Sequence, residues 1–345
     1  MLELDKLVKI VGDAIDAGIR ALGLGSAWVM VIQLAIAGLV VVAFAAVMVL
    51  FLVWLERKIS ARMQNRLGPT RVGPAGTIQT IADALKLLQK EDITPKAVDR
   101  GVYFWAPIIT FVAALAVYVT IPFGEGLIVR DLNIGVLYIL SITTFTVIGL
   151  LMAGWSSNNK YSLLGGFRSA AQVVSYEVPL ALSVIGVIMF TQTLSMLEIV
   201  EQQEKFHQWY IWRQPLGFLI FLIAGTAEAN RTPFDLPEAD SELVAGFVTE
   251  YSGMKFAMFF LAEFLNMFTL AAVATTLYFG GWNGPILPSW MWFIAKCMVG
   301  VFILMWFRWT YPRLRVDQLM GFAWKTLIPL AFINLILTGV GIHLF

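Results

Sequence analysis

Residues 28–54, WVMVIQLAIAGLVVVAFAAVMVLFLVW, contain no charged side chain. An α-helix needs about 20 mostly apolar residues to cross the hydrocarbon core of a bilayer, and this stretch exceeds that length. Seven further apolar stretches follow, at approximately 102–121, 135–154, 171–190, 215–228, 256–279, 291–309 and 325–344. The sequence therefore predicts an all-α, polytopic membrane protein with about eight transmembrane helices, of which 215–228 is the shortest.

The composition agrees with this class. Of 345 residues, 59% are hydrophobic and 14% are charged, against about 25% charged in soluble domains. The only cysteine, Cys297, excludes a disulfide framework and a thiolate metal site, and the two histidines, His207 and His343, are far apart in sequence. We therefore expect no metal site in this chain.

Two segments outside the spans have the spacing of amphipathic helices. In residues 1–27, apolar side chains recur at helical intervals with charges between them, which predicts an N-terminal helix lying at the membrane interface. A second surface helix is predicted around Ile78, Ile81, Ala82, Leu85 and Leu88. Residues 28–345 are expected to form a single membrane domain.

The distribution of lysine and arginine predicts the orientation. The connections 55–101, 155–170, 229–255 and 310–324, with the span ends beside them, hold 17 of these residues, and the other side of the membrane holds 6. Basic connections stay on the cytoplasmic side, so these four loops are predicted to be cytoplasmic, with both termini outside, in a cell inner membrane.

One cytoplasmic connection is acidic. The stretch 228–250, EANRTPFDLPEADSELVAGFVTE, has a single base, Arg231, and six acids: Glu228, Asp235, Glu238, Asp240, Glu242 and Glu250. Asp235 and Glu238 fit an N-cap and its capping partner, which predicts that a helix restarts there. Clustered carboxylates beside a membrane are typical of a proton relay. We also expect this stretch to contact the basic connections.

Three further charges fall inside the spans. Carboxylates in apolar helices are costly, so Glu177 and Glu263 are functional candidates by default. Glu177 is alternatively a structural acid paired with a base from a neighbouring span, and Asn266 is a candidate hydrogen-bond partner of Glu263. Lys296 is either a counter-charge to one of these acids or extends to the outer surface.

Basic residues cluster after the first span. Arg57, Lys58, Arg62 and Arg66 surround Glu56 at the end of the span, and Gly-Pro pairs follow at 68–69 and 73–74. Guanidinium groups at a membrane surface bind carboxylates or polar headgroups. A generic basic flank is the alternative interpretation.

Four motifs together resemble the H subunit of proton-pumping NADH:quinone oxidoreductase, respiratory complex I, a family called subunit 1 in mitochondria. They occur in family order: LERKISARMQNRLGPTRVGP at 55–74, GWSSNNKYSLLGGFR at 154–168 followed by QVVSYEVP at 172–179, AEANRTPFDLPEADSELVAGF at 227–247, and YPRLRVDQLM with WK at 311–325. The resemblance extends from about residue 28 to the end, and the family layout of eight spans agrees with the hydropathy.

The resemblance implies a subunit that forms the floor and membrane entrance of the quinone tunnel and couples quinone reduction to proton translocation. Quinone would be a substrate, and FMN and iron-sulfur clusters would belong to partners: peripheral-arm subunits that carry the quinone site and the iron-sulfur clusters. Antiporter-like and small membrane-arm subunits would be further partners. No redox step would occur on this chain alone.

Residue roles carry over by matching position. The residues expected towards the quinone are Glu56, Arg57, Lys58, Arg62, Arg66, Arg313 and Arg315. The coupling acids are expected to be Glu228, Asp235, Glu238, Asp240 and Glu242, with Glu177, Glu250 and Glu263 leading inward. Asp240 stands where the family usually has Glu, and Phe247 where it often has Tyr, so Phe247 is given no polar role.

Two other functions remain open from sequence. One is the homologous membrane subunit of a membrane-bound hydrogenase or formate hydrogenlyase, which need not carry quinone. The other is an autonomous ion transporter that uses Glu177, Glu263 and Lys296. The lack of an internal repeat and the acidic stretch without an evident partner weigh against the transporter.

Overall fold

The structure is a computed structural model that describes residues 26–237 and 240–344. Apart from an isolated bridge between Gly124 and Leu127, the regular structure in this part of the chain is helical, as the sequence predicts. The amphipathic helix expected at 1–27 lies almost wholly outside the described residues. The α-helices are α1 Ser26–Met63, α2 Gln79–Gln89, α3 Arg100–Ala116, α4 Gly135–Ser156, α5 Lys160–Thr191, α6 Met196–Glu201, α7 Tyr210–Arg213, α8 Pro215–Glu228, α9 Asp240–Leu243, α10 Gly253–Tyr278, α11 Ser289–Thr310, α12 Val316–Phe322 and α13 Ile328–Leu344.

Seven helical runs in the described residues are long and apolar enough to cross a membrane. They are α1, α3, α4, α5, α10, α11 and the continuous run through α12 and α13, which a π-helical turn at Ala323–Leu327 joins. The remaining predicted span, 215–228, forms α8, which has 14 residues. At the usual rise of an α-helix it is about 21 Å long, whereas the hydrocarbon core of a bilayer is roughly 30 Å thick. By length, α8 alone does not span the bilayer.

Two predicted connections are more helical than expected. Helix α1 continues to Met63 and is about 57 Å long at the usual rise, so its charged last turns extend beyond a bilayer core. Helix α5 begins at Lys160, so most of the predicted loop 155–170 is the first part of a helix, with Asn159 as its N-cap. The second amphipathic helix is confirmed as α2.

Helix α10 is the centre of the bundle. It packs against α1, α2, α3, α6, α8 and α11, and two thirds of the residues in its most apolar stretch are buried. The main core lies around it, with Phe264, Leu265, Met267 and Phe268 almost fully buried.

Close backbone approaches position α5. A Cβ added to Gly154 on α4 would lie 3.0 Å from the Gly166 Cα, so these two helices pack backbone to backbone. A Cβ on Gly165 would lie 2.8 Å from both the Gly246 Cα and the Phe247 N. The segment after α9 is therefore pressed onto the start of α5.

Helices α1, α4, α8 and α11 finish at one end of the bundle, which we term the loop face. It carries the connections 64–99, 157–159, 229–252 and 311–315. Contacts join them: Ser252 accepts a hydrogen bond from the Ile93 amide, and the Leu314 amide donates to the Pro233 carbonyl at 3.1 Å. The four predicted cytoplasmic loops thus meet on one surface.

Candidate functional site

Arg231, the single base of the acidic stretch, is buried at the loop face with 2% of its surface exposed. Its Nη1 donates to Glu56 Oε2 at 3.1 Å, and its Nη2 lies 3.2 Å from Glu263 Oε1. The guanidinium also lies over the Phe264 ring, 4.6 Å from the centroid. One cation therefore joins the end of α1 to the middle of α10.

Two further ion pairs extend this arrangement. Arg308, at the end of α11, donates to the other Glu56 oxygen. Arg313 Nη2 donates to Asp235 Oδ2 at 2.9 Å. We term the whole set the charged network, and its members are Glu56, Arg231, Asp235, Glu263, Arg308 and Arg313. It confirms the expected contact between the acidic stretch and basic connections.

Asp235 lies in the non-helical segment after α8 and is largely buried. Burial raises its pKa above the usual aspartate value, and the positive charges of Arg313, Arg308 and Arg231 oppose this without cancelling it. The prediction that Asp235 caps a helix is wrong: no helix begins there, and its carboxylate binds Arg313 instead. Glu238, the predicted capping partner, lies outside the described residues.

Glu177 on α5 and Glu228 at the end of α8 form a second acidic pair, close enough to repel each other electrostatically. Adjacent threonines of α4 contact them: Thr144 donates to Glu177, and Thr143 is a hydrogen-bond partner of Glu228. In the described chain the partner of the Glu177 carboxylate is Thr144 rather than a base from a neighbouring span.

A cavity lies between α4, α5, α8 and α10 beside Glu228. Its walls are mainly aliphatic, with Thr143, Thr146, Asn266 and Thr269 as further polar groups. The volume in which the centre of a water molecule can lie is about 50 Å³. A cavity of this size with polar groups in its lining has room for water. Asn266 thus lies beside Glu228, while Glu263 pairs with Arg231.

The remaining acids are on the outer layer of the loop face. Arg168 donates to Glu242, and both side chains are partly exposed. Glu250 accepts a hydrogen bond from the Asn159 amide at 2.7 Å. Asp240 begins α9. The sequence suggested that the acidic stretch has no evident partner, and the structure differs. Those of its acids whose side chains the structure describes make hydrogen bonds or ion pairs with other residues of this chain.

The predicted quinone residues divide into two groups. Glu56 and Arg313 belong to the charged network. Arg57 binds Asp83 of α2. Burial raises the Asp83 pKa, but hydrogen bonds from Arg57 and Gln79, together with the charges of Arg57 and Lys86, outweigh burial and lower this pKa overall.

The others lie further out. Arg315 binds its neighbour Asp317, and Arg66 binds Gln64. Lys58 is half-buried beside Gly68, and Arg62 is exposed. The structure thus separates Glu56 and Arg313, which belong to the charged network, from bases on the outer surface after α1 and from Arg315 before α12.

Lys296 is remote from these acids. Its Nζ donates to the carbonyls of Phe279, Gly281 and Asn283 at 2.7–2.9 Å and lies 4.3 Å from the centre of the Trp209 ring. Three carbonyls occupy the three donors of the ammonium group. Lys296 is therefore a tether for the turn after α10, and the counter-charge interpretation is wrong.

Sequence reasoning did not single out three polar partners of the acids: Thr143, Thr144 and Asn159. The sequence signal that could have identified the two threonines is their position as adjacent hydroxyl residues within a predicted span, where a buried carboxylate needs hydrogen-bond partners. In residues 26–237 and 240–344, no three His, Cys, Asp or Glu side chains are placed to hold a metal ion.

Comparison with known proteins identifies relatives over most of the chain. The sequence pattern of the family described as NADH dehydrogenase matches residues 36–339. The NADH-quinone oxidoreductase H subunit of Dehalococcoides mccartyi strain CBDB1 is 54% identical over 86% of this chain and 83% of its own length. The H subunit of Carboxydothermus hydrogenoformans is 49% identical over 92% and 91%, and the H subunit numbered 2 of Geobacter metallireducens is 48% identical over 95% and 100%.

Proposed function

Because this chain belongs to the NADH dehydrogenase family, that of the NADH-quinone oxidoreductase H subunits, we propose that it forms the membrane entrance and floor of the quinone tunnel and couples quinone reduction to proton translocation. It is a multi-pass membrane subunit of a multisubunit oxidoreductase, and quinone is the substrate of that complex. The finer assignments below are our proposal.

The charged network is the observation that carries the proposal. Glu56 belongs to the residues expected towards the quinone, and Asp235 and Glu263 belong to the expected coupling acids. Arg231 contacts Glu56 and Glu263 directly, and its charge acts on Asp235. A change of charge near Glu56 therefore acts on both coupling acids through one residue, Arg231.

The bound quinone supplies the redox chemistry, accepting electrons from the partner subunits. The bases after α1, together with Arg313, orient the polar headgroup. When the local charge changes, Arg231 shifts its balance between Glu56 and Glu263, because both carboxylates compete for one guanidinium. The carboxylate that loses its cation gains affinity for a proton.

Glu228, Glu177 and the cavity beside Glu228 continue the path inward. Two carboxylates that repel favour holding one proton between them, and the neighbouring threonines and cavity waters provide hydrogen-bond partners for its transfer. Glu242 and Glu250 lie on the side of the loop face from which protons are taken up.

The test replaces Glu228 and Glu242 separately by glutamine in the assembled complex. Each variant is expected to assemble but to pump fewer protons per quinone reduced, since the amide cannot carry a proton. Glu201→Gln is the matched control, because Glu201 is an exposed acid on α6 away from the network. Unaltered pumping in both Glu228→Gln and Glu242→Gln would refute the coupling role.

The partners are tested by purification from native membranes. We expect the chain to be recovered with flavin and iron-sulfur proteins that reduce quinone, because its relatives are subunits of NADH-quinone oxidoreductase. Recovery of this chain alone, or with partners that evolve hydrogen and do not reduce quinone, contradicts the proposal.

A further inference from the structure

A groove with both apolar and polar walls opens on the loop face where α4 ends and α5 begins. Its volume is about 640 Å³, and its polar lining comes from Asp99, Ser156, Asn158, Asn159 and Lys160. A groove of this size with several polar side chains in its lining admits water when it faces an aqueous phase. It is separate from the cavity beside Glu228.

Asn159 connects this groove to a coupling acid. Its Nδ2 donates to Glu250 Oε1 at 2.7 Å, and its Oδ1 accepts from the Tyr161 amide at 3.0 Å, which caps α5. Both ends of the side-chain amide are therefore fixed. Asn159 lines the groove and binds Glu250, so its amide links the groove to this carboxylate.

The charged and titratable groups around Glu250 come from several elements. Tyr103 of α3 donates to the Glu250 carbonyl at 2.7 Å and stacks on Tyr251. Lys255 lies over the Tyr103 ring and binds Asp92. Lys160 and Asp99 line the groove. Within the described chain, the partner of the Glu250 carboxylate is the side-chain amide of Asn159 rather than a base.

We propose that this groove is the proton uptake site of the coupling path, with Glu250 as the first acceptor and Asn159 as its positioning residue. A hydronium ion or protonated buffer molecule in the groove transfers its proton to the Glu250 carboxylate, which becomes a neutral carboxylic acid, and the donor is left as water or free base. This inference rests on the proposed function, since it assigns the start of the same path.

The decisive variant is Asn159→Asp. Aspartate caps a helix as well as asparagine does, so α5 retains its N-cap, while the donor to Glu250 is replaced by a second carboxylate. Two adjacent carboxylates hold a proton more tightly, so the acidic limb of the pumping profile is expected to move up by about one pH unit. A purely structural role for Asn159 lowers the amount of complex but leaves that limb in place.

Glu250→Gln identifies the titrating group. Alone it is expected to lower pumping, and combined with Asn159→Asp it is expected to abolish the shift of the acidic limb. If Glu250→Gln lowers pumping but Asn159→Asp shifts nothing, the inference fails and the coupling role stands. If Glu250→Gln has no effect, the inference also fails, and the variants of Glu228 and Glu242 then decide the proposed function.

A second pair of variants tests the groove even if Asn159→Asp fails to assemble. Leu163 lines the groove, whereas its exposed neighbour Leu164 does not. Leu163→Trp is expected to fill the groove and to slow pumping most at alkaline pH, where protons are scarce, and Leu164→Trp is expected to match the wild type. Equal pumping rates in the two variants across the pH range would overturn the proposal.

Discussion

Arg231 is the residue on which the charged network depends most, because it binds acids from two different helices, Glu56 and Glu263. Removing one partner of a buried ion pair typically costs about 3–5 kcal/mol, since the remaining charge stays in a poorly solvated place. Glu56 and Glu263 would both lose this partner, and only Arg308 would still bind Glu56.

We therefore predict that Arg231→Met destabilises the subunit by about 3–5 kcal/mol. The measurement is the amount of assembled complex and its thermal inactivation. Arg315→Met is the matched control, because Arg315 and Asp317 form an exposed pair, and water and salt screen such pairs so that they contribute little to stability. Equal losses in the two variants would show that the burial of Arg231 does not matter.

Asp235 provides a pH-dependent test. Its pKa in the folded chain is raised, so the folded state binds the proton more tightly than the unfolded chain does. Its stabilising contribution is therefore complete below the unfolded value of about 3.9 and is lost as the pH rises through the folded value.

We expect Asp235→Asn, which has no such titration, to gain stability relative to the wild type as the pH rises through that window, and then to hold a constant difference. Thermal inactivation of the complex between pH 4 and pH 8 measures this. A difference that is flat across the whole range would mean that Asp235 titrates normally. Arg313 is partly exposed, so it remains solvated when its partner is neutral.

At the scale of elements, the start of α5 positions the acidic segment. The first two turns of α5 touch the backbone after α9, and the same helix carries Arg168, which binds Glu242, and Glu177 further along. A displacement of the segment 246–248 is therefore transmitted to the helix that carries an inner coupling acid.

Gly165→Ala tests this contact. The added Cβ would lie 2.8 Å from backbone atoms of Gly246 and Phe247, which cannot rotate away as a side chain would. We expect a cost of about 1–3 kcal/mol from overpacking, and reduced pumping relative to quinone reduction.

Gly341→Ala controls for the helix propensity of alanine. Gly341 lies in α13, and its added Cβ would meet nothing within 4 Å, so the substitution is expected to be neutral or to stabilise by up to about 1 kcal/mol. If Gly165→Ala were equally harmless, the segment after α9 would not be held by this contact.

At the scale of the whole molecule, the orientation in the membrane remains a prediction from charge. It places the loop face in the cytoplasm and the α6–α7 connection outside. The single cysteine, Cys297, is buried, so an added surface cysteine on this chain can be labelled against a low background.

We predict that a membrane-impermeant thiol reagent labels Asn65→Cys only in inverted membrane vesicles. The same reagent is expected to label Glu204→Cys only in right-side-out cells whose outer envelope has been removed. Both positions are exposed, so access differs only by side. The reverse pattern would place the loop face outside and would exclude proton uptake from the cytoplasm.

The sequence by itself determined the fold class, most of the spans, the second amphipathic helix and the family. Long apolar runs such as 28–54 have only one way to satisfy their backbone in a bilayer, so hydropathy fixes the helices. The charges in the connections indicated that the acidic stretch meets basic partners. Composition also limited the chemistry, because a chain with one cysteine and two separated histidines offers no clustered thiolate or imidazole ligands.

Only the tertiary structure decided which charges meet. Arg231 and Glu56 are 175 positions apart, and Arg308 and Glu56 are 252 apart. Such pairs depend on how helices pack, which local pattern does not encode. For the same reason the sequence assigned Asp235 to a helix cap and left Lys296 as a possible counter-charge. In the folded chain Asp235 binds Arg313, and Lys296 donates to three backbone carbonyls. The long-range contacts decide each partner because a buried charge is stable only where the fold brings an opposite charge or a dipole to it.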